Sequence, residues 1–276
     1  MLPSDNHVHS EWSWDAHLGS MESTCARAAE LGLPSIAFTE HADLGPQVIP
    51  PGATIPDQLQ EFVSDGFLLT PQLDLEGYFE CLERCRHMFP ELRILSGVEL
   101  GEPHWHVERA RDLLRRGRFE RVLGSMHSFQ FGGGASDFCW GHGEVPAGDG
   151  LRTYLEEVII MIREFDDMQV LAHIDYPVRY WPSDGIPYDV SHFEEEYRVV
   201  LRELAESERV LEMNTRVPMD SCIIRWWYEE KGRGISFASD AHDPDSLASG
   251  FKQAAWMAQA NGFKPGRTAD EFWRRA

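Results

Sequence analysis

Six of the twelve histidines fall at or just beyond the ends of short apolar runs. His7 and His9 flank Val8 in DNHVHS, and His41 closes SIAFTEH. His127 follows VLGSM, His173 follows VLA, and His242 closes SFASDAH. Glu99 in GVEL and Asp240 in SDAH occupy the same kind of position. Imidazole nitrogen with carboxylate oxygen, and no thiolate, is a ligand set for divalent cations such as zinc, manganese or iron. In an extended HxH both rings lie on one face, because alternate residues of a strand point the same way, so one ion can take both. Singly, each group has an ordinary explanation: a chance HxH, a satisfied core histidine at His173, a buried ion pair at Glu99. Burying all of them together without a cation would be costly. The constellation therefore reads as a metal centre that activates water for hydrolysis. No nucleophile motif such as GxSxG competes with that reading.

These side chains need a scaffold that brings strand ends together. Runs at 5–9, 35–39, 93–100, 121–126, 170–174, 209–213 and 234–238 have strand character. Helical patterns occupy 21–31, 75–88, 106–116, 151–165, 191–207, 219–231 and 245–260. Strands separated by helices imply parallel βαβ units, whose C-terminal strand ends share one face. Seven strands in series point to a barrel-like closure, although periodicity does not separate this from a doubly wound sheet. The length of 276 residues suits a single α/β domain over 1–276, since such barrels take about 250 residues. Three segments break the rhythm: 44–74, with Pro46, Pro50, Pro51, Pro56 and Pro71; the glycine-rich 131–150; and 176–188, with Pro177, Pro182 and Pro187. Each follows a strand, where lids and specificity loops are expected.

The formal charge of −21, without a basic stripe, argues against a nucleic-acid partner. A small phosphate remains admissible, because bound metals reverse the field locally. No apolar run approaches the roughly 18 residues of a membrane span, and MLPSDNHVHS lacks the parts of a signal peptide. A cytoplasmic protein with no membrane contact is expected. The five cysteines contain no CxxC pair; Cys81 and Cys85 fall one helical turn apart, and buried reduced thiols are the expectation.

The motifs DNHVHS, TEHAD, GVE, GSMHS, AHID and SDAH, in that order over residues 5–243, resemble the polymerase-and-histidinol-phosphatase (PHP) family. Length and spacing are most similar to its histidinol-phosphatase branch. The resemblance implies a distorted seven-stranded (β/α) barrel with three divalent ions. Carried over, His7, His9, Glu99 and Asp240 would hold the first metal. Glu99 would bridge to a second on His127 and His173, and Asp15, His41 and His242 would hold the third. Asp15 stands at a spacing where some members have histidine, and His17 is its alternative. Asp5 would orient a ligand without binding metal.

The implied activity is a metal-dependent phosphomonoesterase that hydrolyses L-histidinol phosphate through a hydroxide bridging the metals. Arg179 in HIDYPVRY and Arg216 in LEMNTR look similar to phosphate anchors of that branch, and their planar fork matches phosphate oxygens. Arg115, Arg116 and Arg225 lie in helical patterns and read as solvated. Glu102, Trp105, Asp175 and Tyr176 suit the ammonium and imidazole of the alcohol, and His17 and Asp43 are candidate general acids. Two other readings stay open. One is a PHP phosphoesterase for a nucleotide, an oligonucleotide end or another small phosphate. The other is a metal-binding module without turnover, against which every ligand position is filled.

Overall fold

The structure is a computed structural model that describes residues 2–131, 134–140, 145–183 and 185–276. Seven strands run parallel and neighbour one another in chain order. They are β1 (Asp5–Val8), β2 (Ser35–Asp43), β3 (Arg93–Gly101), β4 (Arg121–Ser125), β5 (Val170–Leu171), β6 (Val210–Asn214) and β7 (Gly234–Ala238). Their residues are buried almost without alternation, the pattern of a parallel sheet covered on both faces. A doubly wound sheet reverses its strand order at a switch point; this order has no reversal. The first and last parallel strands also meet beyond their ends. Val8 and Ala241 form a parallel bridge, His9 N donates to Ala241 O at 2.8 Å, and Asp240 N donates to His7 O at 2.9 Å. The sheet therefore curls back on itself at its C-terminal edge. Its nine strands exceed the expected seven, because β8 (Phe263–Lys264) and β9 (Trp273–Arg275) add an antiparallel pair beside β7.

The helices are α1 (Met21–Leu31), α2 (Leu75–Met88), α3 (Val107–Arg116), α4 (Ala147–Glu164), α5 (Glu194–Glu206), α6 (Ser221–Glu229) and α7 (Phe251–Ala260). The larger core lies among α4 to α7 and the strands from β3 to β7; a smaller one fills the space between α1, α2 and the first strands. Tyr78 of α2 locks the pair β2 and β3. It is fully buried, its hydroxyl donates to Phe38 O at 2.8 Å, and it accepts from Gly97 N at 2.9 Å. Gly97 permits this pairing, since a Cβ there would stand 2.5 Å from Thr39 Cγ2. The same register sets His41 beside Glu99.

Several expected boundaries shift. The helix expected over 245–260 begins only at Phe251, after a 3-10 turn at Pro244–Ser246 and Gly250 in the left-handed region at φ 71°. The strand expected over 170–174 ends at Leu171, which frees His173 from sheet geometry. The proline-rich excursion 44–74 is not bare loop. Its pieces Gln47–Val48, Val63–Ser64 and Phe67–Leu68 join Ser128–Phe131 and Gly134–Asp137 in a second, five-stranded sheet. The excursion after β2 is thereby tied to the glycine-rich segment after β4, of which residues 132–133 and 141–144 lie outside the described ones, as does residue 184 of the third loop. Cys25, Cys81 and Cys85 are buried free thiols as expected, whereas Cys139 is exposed and Cys222 half-buried. No helix among the described residues is long and apolar enough to cross a membrane.

Candidate metal centre

Six of the seven parallel strands deliver a candidate ligand at or just past their C-terminal ends. β1 supplies His7 and, one residue beyond it, His9; both are fully buried, and their Nε2 atoms stand 3.0 Å apart. Glu99, near the end of β3, is the hub. Its Oε2 lies 3.1 Å from His7 Nε2, 3.4 Å from His9 Nε2 and 3.0 Å from His41 Nδ1. Its Oε1 lies 2.8 Å from His173 Nε2 and 3.1 Å from His127 Nε2. Asp240 Oδ1 approaches His9 Nε2 at 3.5 Å. Its backbone takes the left-handed conformation, φ 54°, which aspartate tolerates better than most residues. Asp15 Oδ2 lies 3.1 Å from His242 Nε2 and 3.4 Å from His41 Nε2. The structure thus brings together all nine ligand candidates.

This donor set fits divalent cations. The Nδ1 atoms of His7 and His9 are engaged by Glu212 at 2.8 Å and Ser13 Oγ at 3.0 Å. That leaves two Nε2 lone pairs turned towards each other with Glu99 and Asp240 carboxylates beside them. Ligand atoms of His7, His9 and Asp240 converge within 4.8 Å of one another, as do those of His7, Glu99 and His173, and of His9, His41 and His242.

The electrostatics are those of a pocket built for positive charge. Burial opposes ionisation of Glu99, but His7, His41 and His127 outweigh it and hold the carboxyl well below its usual range. Burial likewise opposes ionisation of Asp240, and Arg179 and His7 outweigh it. Burial, then His41 and His242, push His9 well below the ordinary imidazole value, so it stays neutral as a ligand must. Burial also lowers His173, to about 4. At His7, His41 and His127 burial is outweighed by carboxylates, Glu99 common to all three, and these imidazoles are raised.

Both arginines reach the centre. Arg179, on the 3-10 turn Tyr176–Tyr180, donates to Asp240 Oδ2 at 2.7 Å and stacks over the Tyr176 ring at 5.0 Å. Arg216 Nη1 lies 3.3 Å from Asp240 Oδ1 and 3.1 Å from His242 Nδ1. His17 is a different case: it is exposed and belongs to none of the converging groups, so neither its ligand nor its acid role has geometry behind it. Asp43 converges with His41 and His127. Its Oδ2 accepts from Trp14 Nε1 at 2.7 Å and its Oδ1 lies 3.8 Å from His127 Nδ1, the nitrogen turned away from Glu99. That Oδ1 is buried without a hydrogen-bond partner among the described residues, beside the histidine cluster.

Among the residues expected to meet the alcohol, Glu102 is committed to the segment after β4. Its Oε1 accepts from His127 N at 2.6 Å and Ser128 N at 2.8 Å, and burial pushes its carboxyl up to about 7. Trp105 packs against the larger core. Asp175 is buried, which pushes its carboxyl up to about 6. The Tyr176 ring lies 4.9 Å from His127 and 5.0 Å from His173, and its hydroxyl donates to Asp137 at 3.1 Å. Asp5 accepts from Ser239 N at 3.0 Å, Ala248 N at 3.2 Å and His7 N at 3.5 Å, bracing β1 against the segment after β7.

Sequence reasoning missed the supports behind the ligands. Ser13 Oγ faces His9 Nδ1, accepts from His41 N at 3.0 Å and donates to Glu40 Oε2 at 2.6 Å. Glu40 is fully buried and also accepts from Ser10 N at 2.9 Å. Glu212 is equally buried. The available signals were Glu40 inside TEHAD and a glutamate within the apolar run VLEMN.

Comparison with known proteins places this geometry in context. The PHP domain family matches residues 5–216. A protein of Clostridium acetobutylicum named "Probable histidinol-phosphatase" is 27% identical over 271 residues, covering 95% of this chain and 94% of its own. The histidinol-phosphatase of Lactococcus lactis subsp. lactis is 24% identical, with 88% of this chain and 85% of its own covered. The crystal structure of the Lactococcus lactis histidinol phosphate phosphatase, in complex with zinc, L-histidinol and phosphate, matches this fold with a TM-score of 0.78 at 23% identity, over 95% of this chain and 94% of that one.

Proposed function

The chain belongs to the PHP domain family, and from that premise we propose that it is a metal-dependent phosphatase that hydrolyses L-histidinol phosphate to L-histidinol and phosphate. The carrying observation is Glu99, a fully buried carboxylate within 3.4 Å of ring nitrogens of His7, His9, His41, His127 and His173. The similar proteins named histidinol-phosphatases, matched over most of their lengths, support the choice of substrate.

In this reading the whole of 1–276 is one phosphoesterase domain, a distorted seven-stranded (β/α) barrel with three divalent ions at its C-terminal face. His7, His9, Glu99 and Asp240 would hold one ion, Glu99, His127 and His173 a second, and Asp15, His41 and His242 a third. Bound there, the ions would supply hydroxide at neutral pH and neutralise charge on the phosphoryl and leaving oxygens. The protein's own groups do the positioning. Arg179 and Arg216 present guanidinium forks beside Asp240, where phosphate oxygens would be gripped. Asp43, beside His41 and His127, is the general-acid candidate, and no side chain is needed as nucleophile. The acidic groups Asp137 and Asp175, with the Tyr176 ring, suit the cationic alcohol on the side of His127 and His173.

The test is purification without chelator, metal analysis, and phosphate release from L-histidinol phosphate beside nucleotide and sugar phosphates. Preference for histidinol phosphate, lost in His9→Ala, is the expected result. Activity confined to another ester would overturn the substrate. Bound metal without hydrolysis of any ester would overturn the enzyme.

A further inference from the structure

β6 supplies none of the candidate ligands, yet its Glu212 is as buried as any of them, with no exposed side-chain surface. Its Oε2 lies 2.8 Å from His7 Nδ1. Its Oε1 accepts from His173 N at 3.1 Å and from Asn214 Nδ2 at 2.9 Å. Asn214 Nδ2 also reaches Asp240 Oδ2 at 3.3 Å, and Asn214 Oδ1 accepts from Arg216 N at 2.9 Å. One carboxylate thus touches β1, the segment after β5, and, through Asn214, the segment after β7.

We propose that Glu212 is a positioning residue that couples two cation positions, fixing the proton of His7 on Nδ1 while it anchors the backbone of His173. The inference rests on the metal-centre reading above but not on the identity of the ester. An imidazole that donates from Nδ1 must present its Nε2 lone pair, here towards His9 and Glu99. The other oxygen of the same carboxylate faces only donors, His173 N–H and the Asn214 amide. Glutamine cannot replace it in either orientation. With its oxygen towards His7, its NH2 meets two donors; with its NH2 towards His7, the imidazole proton is driven to Nε2, where it blocks the metal. A carboxylate satisfies both sides at once. Its burial, which would otherwise be costly, is matched by the positive charge of a filled centre.

The experiment compares wild type with Glu212→Gln for zinc stoichiometry and for zinc affinity by competition with a chromophoric chelator. Thermal unfolding of the metal-free proteins serves as the folding control. Glu212→Gln should weaken zinc binding by roughly 10- to 100-fold at two sites, with the site of Asp15, His41 and His242 less affected. Glu212→Asp, which keeps the charge, should recover part of the loss. Nitrogen-15 NMR of wild-type imidazoles, which needs no variant to fold, should find the His7 proton on Nδ1. Unchanged zinc affinity in a folded Glu212→Gln protein, or a His7 proton on Nε2 in the zinc-loaded wild type, would overturn the coupling role alone. A wild-type protein that takes up no zinc would overturn the metal centre with it.

Discussion

Arg179 and Asp240 form one buried ion pair: guanidinium and carboxylate meet at 2.7 Å, with 10% and 4% of their side-chain surfaces exposed. In the proposed reading this pair prepositions a phosphate anchor on a metal ligand, so that whatever fills the centre would be felt by the arginine. Arg179→Ala should lower kcat/KM by about 100-fold, since a charge-assisted bond is worth ~1.5–3 kcal/mol, and should weaken inhibition by inorganic phosphate in parallel. Arg216, 46% exposed, should cost about tenfold less when replaced by alanine. Steady-state kinetics of the two variants decide the order, and a larger loss at Arg216 would count against the buried pair as the principal anchor.

Asp15 and His17 make opposite predictions. Asp15→Asn should remove one equivalent of metal, because its Oδ2 lies between His41 and His242. His17→Ala should leave metal content and turnover unchanged, as its ring is exposed. Elemental analysis beside the phosphate assay settles both, and loss of metal in His17→Ala would reverse the assignment.

Metal removal should cost stability as well as activity. Ions that bind only the folded chain stabilise it by about 3 kcal/mol at a hundredfold excess over Kd. The chelated protein should melt roughly 5–10 °C lower, and reloading should restore Tm and turnover together. A Tm indifferent to chelator would mean that the buried imidazoles hold no ion.

Asp5 gives a pH signature. Burial raises its carboxyl from 3.8 to about 6 in the fold. Between those values the folded chain binds more protons than the unfolded one, so stability falls as pH rises through that window. The span corresponds to about 3 kcal/mol. Denaturant unfolding of the metal-free proteins at pH 4 and pH 6 should show wild type losing more stability, or gaining less, than Asp5→Asn across that span. An equal slope in the variant would remove Asp5 as its source.

Tyr78→Phe deletes the hydroxyl between Phe38 O and Gly97 N. It should destabilise by roughly 1–3 kcal/mol, read from the denaturant midpoint. Gly97→Ala should be worse, because the new methyl would meet Thr39 Cγ2 at 2.5 Å and Phe38 O at 3.0 Å. Both changes act on the register that sets His41 beside Glu99.

The candidate ligands were legible in the sequence for a physical reason. Imidazoles and carboxylates at the ends of apolar strands are rare enough to be informative, and parallel strands bring their ends together whatever lies between. His7, His9, His41, Glu99, His127, His173, Asp240 and His242 carried that signal. Glu212 and Glu40 did not, because a carboxylate inside an apolar run looks like any buried ion pair until its partner, far away in sequence, is known. Ser13 Oγ acts through three hydrogen bonds that spacing does not encode. The second sheet was equally hidden: several of its strands are two residues long, and Gln47 finds Ala135 only in three dimensions. The antiparallel pair beyond β7 was missed because Phe263–Lys264 and Trp273–Arg275 carry too few residues for periodicity to register.

The bridge between Val8 and Ala241 also orders events during synthesis. The HxH imidazoles leave the ribosome first, while Asp240 and His242 follow after more than two hundred further residues have been added. Until β7 docks beside β1, a captured ion has at most part of its coordination shell and can be lost to any competing chelator in the cell. Contacts of such long range form late and slowly. If the centre holds metal as proposed, secure retention would require β7 to have docked, and chains that stall before Asp240 would lack part of the shell.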